Sequence, residues 1–142
     1  MTVRYLLDTS IVSAPMSKVP NTNVVKQLEA NGHECAIAAP MWHELVYGCH
    51  RLPRGKRRAA LEAYVQEVVL RSFPMLAYDE PAAHWHGHER ARLERLGRPA
   101  PYADGQIAAI AFVNALVLVT ANVKHFARFK GVTVENWSAH AD

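Results

Sequence analysis

The chain predicts an α/β fold, a three-layer α/β/α sandwich around a central, mostly parallel sheet. Three observations lead there: short strands that are apolar almost throughout, helical segments between them, and no repeat or low-complexity stretch to divide the chain. Strands with no polar face need cover on both sides, which helical crossovers supply. With 142 residues, 50% apolar and 20% charged, the sequence is long enough for one core, so a single domain over 1–142 is expected.

Each element has its own signal. "VRYLL" is a buried strand by its apolar run. "NTNVVKQLEANG" is a helix with Asn21 as its cap and Gly32 as its stop, and "ECAIAA" is a second strand ending at Pro40. A helix from "PMWHELVYGCHR" follows, then the one dense charge run, "RLPRGKRR" (51–58), leading into the amphipathic helix "RRAALEAYVQEVVLRS". "PMLAY" is a third strand. "DEPAAHWHGHERARLERLG" is a helix with Asp79 at its cap, Pro81 in its first turn and Gly97 after its end. The loop "RPAPY" precedes the helix "ADGQIAAIAFVNA", which runs into the strand "LVLVT"; a short turn, "ANVKHFARFKG", and a strand, "VTVEN", complete the pattern.

Several function classes fall away at this level. The longest apolar stretch, "IAAIAFVNALVLV", is too short to span a bilayer and is broken by Asn114, and no export signal opens the chain, so a cytoplasmic protein with no membrane partner is expected. Cys35 and Cys49 fit neither a disulfide framework nor a metal quartet and read as buried free thiols. "HELVY" begins like a zinc-protease helix, but Tyr47 stands where the second His is needed. His84 and His88 share one helix face without a third ligand and read as an exposed face, while His125 reads as a packed structural residue.

What remains is a set of acids. In open parallel sheets ligands bind beyond the carboxyl ends of the strands. Asp8 follows the first strand, Glu44 is expected in the first turn of the helix after the second, Asp104 opens the helix "ADGQIAAIA", and Asn122 follows "LVLVT". Each has a local explanation: Asp8 as a helix cap and Asp104 as a dipole-compensating acid. If Asp8, Glu44 and Asp104 converge, their mutual repulsion calls for a hard divalent cation such as Mg²⁺, bound through oxygen. Such an ion supports phosphodiester hydrolysis.

"LLDTSIVS", the Glu of "WHELVYG", "DGQIAAIA" and "LVLVTANVKHFARFKGVTVENW", in that order, resemble the PIN-domain ribonucleases of the VapC toxin type over nearly the whole chain. The resemblance implies a Mg²⁺- or Mn²⁺-dependent endoribonuclease for single-stranded or loop RNA, forming a homodimer and inhibited by a cognate antitoxin. Carried onto this chain, it makes Asp8, Glu44 and Asp104 the metal-binding acids. Asn122 stands at the position of a fourth acidic or amide residue, and Ala121 departs from the Arg or Asn often found there. Thr9, Ser10 and Thr120 are expected either to orient ligands or to serve as capping and back-bonding hydroxyls. A second reading is a binding module of the same fold, working in an antitoxin complex on operator DNA with little or no hydrolysis.

The basic run is open to two readings. Arg51, Arg54, Lys56, Arg57 and Arg58 form either a solvated loop or an electrostatic track leading RNA toward the acids, with Arg98 as a further cation in the loop before Asp104.

Overall fold

The computed structural model describes residues 2–138. Five strands pair in parallel: β1 (Tyr5–Leu7), β2 (Cys35–Ala38), β3 (Met75–Leu76), β4 (Val117–Val119) and β5 (Val134–Glu135), in the spatial order β3-β2-β1-β4-β5. Every residue of β1 and β2 is buried, so helices must cover both sheet faces, and they do. The strand order reverses between β1 and β4. That is the switch point at which open parallel sheets present a crevice beyond their carboxyl ends.

The helices are α1 (Thr9–Val12), α2 (Thr22–Asn31), α3 (Ala39–His50), α4 (Lys56–Ala63), α5 (Leu70–Ser72), α6 (Glu80–Arg95), α7 (Tyr102–Val113) and α8 (Val123–Phe126). Among the described residues, no helix is long and apolar enough to cross a membrane. α7 buries Gly105 and the whole run from Ile107 to Ala111, as expected of a helix apolar all round and sunk in the core. Its first turn therefore emerges at the rim of the sheet, carrying Asp104 as the third helical residue.

Several local signals act as their chemistry requires. Asn21 Oδ1 accepts the N–H groups of Asn23 and Val24 at 3.0 and 3.1 Å, and Asp79 Oδ1 accepts that of Ala82 at 3.2 Å. After α6, Gly97 adopts φ 69° while Arg98 N–H reaches Leu93 O at 2.8 Å and Gly97 N–H reaches Glu94 O at 3.0 Å, closing the helix in a Schellman turn. Other signals are overridden. Gly32 keeps helical angles (φ −54°, ψ −33°) and passes the chain into a 3-10 turn rather than stopping it. The helix expected over 57–72 is continuous in direction but widens to π geometry at Tyr64–Val69, between α4 and α5.

Candidate active site

Asp8 is the residue whose local explanation fails. It occupies the N-cap position of α1, yet its side chain accepts no helix N–H. It is 8% exposed, and its Oδ2 instead receives the Thr120 hydroxyl at 2.8 Å and the Ser10 hydroxyl at 3.4 Å. Both hydroxyls are aimed by the turn after β4: Asn122 N–H donates to Thr120 Oγ1 at 3.0 Å, and Ala121 N–H donates to Ser10 Oγ at 3.1 Å. An oxygen that accepts a backbone N–H is left to donate its own proton, so both hydroxyls point at the carboxylate. The backbone makes this possible. Asp8 N–H bonds Val119 O at 2.9 Å, extending the β1–β4 ladder by one residue and setting Asp8 beside Thr120. One carboxylate oxygen is thus held from behind.

Asp104 is brought to the same place by α7. Burial, and then the negative charge of Asp8, raise its carboxyl above the ordinary carboxylate range; His125 and Arg128 pull it back down. His125 Nδ1 lies 3.8 Å from Asp104 Oδ2, with its side chain 59% exposed. The expectation of a packed structural histidine is therefore corrected: His125 stands on the solvent side of the acid. Its position on α8, one helical step past Asn122, was visible in "ANVKHF", but nothing local indicated that α8 folds back over the start of α7.

Gly105, next to Asp104, lies against His86 of α6. A Cβ there would overlap His86 Nε2, so glycine is required by the close approach. His86 is buried and its Nδ1 pairs with Tyr78 OH at 2.8 Å; burial lowers its pKa, favouring the neutral ring. His84 and His88, on the same helix, are exposed as expected, with ring centroids 4.7 Å apart.

The segment following α8 is tied to α6 by a second buried acid, one that no sequence motif marks. Glu89, 7% exposed, receives Arg92 in a two-pronged pair at 2.7 Å and the Lys130 N–H at 2.8 Å. Arg92 also bonds Arg128 O at 3.0 Å, while the Arg128 guanidinium holds His125 O and Pro99 O. An i, i+3 Glu–Arg pair looks like an ordinary exposed helix pair in sequence; only the fold turns it inward.

Glu44 behaves differently from the other two acids. It lies in the second turn of α3 rather than the first, its side chain is 44% exposed, and its contact is His43 Nδ1 at 3.7 Å. Among the described residues, no set of three or more His, Cys, Asp or Glu stands close enough to hold a metal ion. The structure therefore pairs Asp8 with Asp104 and leaves Glu44 outside that pair. An all-oxygen donor set of two carboxylates still fits Mg²⁺, which binds through one or two carboxylates plus substrate phosphate; it does not fit zinc. Cys35 and Cys49 are buried and free, and burial pushes the Cys35 thiol up to about 12.

The remaining candidates are placed as follows. Thr9 begins α1, its carbonyl accepting the Ser13 hydroxyl at 2.7 Å. Asn122 is exposed, and its amide caps nothing. Arg98 is exposed in the loop before α7, while Arg54 and Arg57 are exposed before and within α4, all three without a side-chain partner among the described residues. Arg58 is turned inward: its guanidinium bonds Glu62 Oε1 at 2.9 Å, Leu52 O at 3.4 Å and His50 Nδ1 at 2.8 Å.

Comparison with known proteins follows the same lines. The family model described as PIN domain matches residues 5–132. A tRNA(fMet)-specific endonuclease VapC from Shigella flexneri is 31% identical over 137 residues, covering 96% of this chain and 99% of the relative. Toxin FitB from Neisseria gonorrhoeae is 32% identical over 124 residues, covering 85% and 89%. Among solved structures, FitAB bound to an IR36 DNA fragment superposes with a TM-score of 0.88 at 28% identity, covering 97% of this chain and 98% of that one. DNA-bound VapBC from Salmonella typhimurium superposes at 0.81 and 27%, covering 96% and 99%.

Proposed function

The chain belongs to the PIN domain family, and from that premise we propose that it is a metal-dependent endoribonuclease cleaving single-stranded or loop RNA, the toxin of a toxin-antitoxin pair. The observation that carries this reading is the pairing of Asp8 and Asp104 at the β1/β4 switch point, with one Asp8 oxygen pinned by Thr120 and Ser10. A buried acid backed by two aimed hydroxyls and facing a second acid is a costly arrangement for stability alone. It is well suited to receive a cation.

Asp8 and Asp104 would hold the ion, Mg²⁺ or Mn²⁺, with Glu44 completing the set once RNA is present. The ion supplies Lewis-acid activation of water and neutralises charge on the scissile phosphate. The chain's own residues do the rest. Thr120 and Ser10 keep Asp8 from rotating, and Thr9 lies at the same rim. Asn122 presents an uncharged amide to the entering backbone, and Arg98 offers an exposed cation in the loop before α7. Arg54 and Arg57 attract phosphate from a distance, whereas Arg58 braces the loop that carries Arg54. In the cell the protein works in the cytoplasm as a homodimer, silenced by its antitoxin.

The DNA-bound relatives favour a second role: in complex with that antitoxin, the chain takes part in binding operator DNA. Hydrolysis and this role are separable. The test is expression of the chain and of Asp8→Asn in cells lacking an antitoxin, with mapping of new RNA ends. New ends are expected from the wild type alone, disappearing in cell extract when divalent ions are chelated. The same ends from Asp8→Asn would remove the assignment, and none from either would leave only the binding module.

A further inference from the structure

We infer that the exposed face of α3 formed by His43, Tyr47 and Arg51 is a nucleobase-stacking subsite for single-stranded RNA, an inference that rests on the nuclease reading above. The three residues are spaced i, i+4, i+8, one above another on a helix. They lie away from the face buried by Met41, Leu45 and Cys49. The His43 ring stacks on that of Tyr47, with centroids 6.2 Å apart and planes 11° from parallel, and the Arg51 guanidinium lies 5.5 Å from the Tyr47 ring centroid on the next turn. Tyr47 is 53% exposed and the His43 side chain 75%.

Stacked i, i+4 neighbours on a solvated helix need no ligand, since such pairs stabilise the helix itself only weakly. Two further features point to one. The ladder starts beside Glu44, which His43 contacts, and ends on Arg51, where the basic run with Arg54, Lys56 and Arg57 begins. Aromatic faces in line with a cationic track are what a single strand needs: π surfaces for bases whatever their identity, and positive charge for phosphates. The same charges argue against a second copy of the chain as occupant. An isologous contact would set each protomer's basic run near its duplicate, whereas RNA neutralises it.

The test uses the Asp8→Asn protein, which binds without cutting, and a short fluorescein-labelled oligoadenylate read by anisotropy. Adding Tyr47→Ala should weaken binding about tenfold while leaving the salt dependence unchanged, because a stacked base releases no counterions. Tyr47→Trp should restore affinity. Arg57→Glu should also weaken binding but, unlike Tyr47→Ala, should flatten the salt dependence. An oligonucleotide without bases should bind equally well with and without the Tyr47→Ala substitution. Equal oligoadenylate affinity with and without Tyr47 overturns the subsite, and a change in sedimentation mass without a change in affinity reassigns the face to a protomer contact. Failure of the Asp8→Asn protein to bind RNA at all, under any salt, overturns the nuclease reading itself.

Discussion

Thr120 donates its hydroxyl to Asp8 Oδ2 at 2.8 Å, joining two residues 112 positions apart in the chain. The bond exists because β4 lies beside β1, and it turns an apparent helix cap into one half of an acidic pair. Thr120→Val keeps the side-chain shape and removes both the donor to Asp8 and the acceptor for Asn122 N–H. Urea denaturation should show a loss of about 1–2 kcal/mol, and Mn²⁺ affinity should fall because Asp8 is free to turn. Parent-like values for both would make the hydroxyl incidental.

Asp104→Asn separates charge from packing. Burial and the Asp8 charge oppose the ionised Asp104 carboxyl, so the amide should raise the melting temperature of the ion-free protein by roughly 3 °C while abolishing cleavage. Saturating Mn²⁺ should then stabilise the wild type and leave the variant where it was. A variant that melts below the wild type without metal would contradict the repulsion.

Asn122 decides how many ions the site takes before RNA arrives. One divalent ion neutralises Asp8 and Asp104, and the exposed Asn122 amide adds no charge to hold a second. Calorimetric titration of the RNA-free protein should therefore register one appreciable Mn²⁺ site. Asn122→Asp should tighten a second, with no necessary gain in rate. Two equally tight ions in the wild type would show that Asn122 is outside the metal environment.

Glu89 predicts an acid-sensitive link between α6 and the segment carrying His125. The Arg92 hydrogen bonds, helped by the Lys130 N–H, hold its carboxyl below the ordinary range against the effect of burial. A depressed folded pKa contributes stability that is present above the unfolded value and is lost as pH falls through the folded one. Glu89→Gln should therefore be less stable than wild type at neutral pH, and the gap should close on acidification below about pH 4. Denaturant midpoints measured across that range check it; a gap independent of pH would mean that packing, not charge, holds the link.

Ala115 ends α7 with φ 55°, a left-handed conformation that costs an L-residue about 1 kcal/mol, while Leu116 N–H bonds Ala111 O at 2.9 Å. Ala115→Gly should stabilise the protein by up to about 0.5 kcal/mol, after the entropy that glycine loses on folding. Thermal unfolding is the readout, and a lower melting temperature would show that the Ala115 methyl contributes packing.

By itself the sequence determined which segments are strands, where helices begin at Asn21 and Asp79, and that Gly97 turns the chain after α6. Those signals are local: the period of apolar residues, a capping side chain, and a backbone angle only glycine accepts at no cost. It also indicated that Asp8 and Asp104 stand at a strand exit and a helix start, since both places are defined within a few residues. Only the tertiary structure decided which strand exit adjoins which. The order β3-β2-β1-β4-β5 puts Thr120 behind Asp8, brings α7 to face it, and folds α8 so that His125 meets Asp104. It also leaves Glu44 outside the pair and turns Arg58 inward onto Glu62. Periodicity reports that a face is buried but not against what. Partner choice is set by long-range packing of interchangeable apolar surfaces, and polar contacts made across those surfaces leave no mark within either segment.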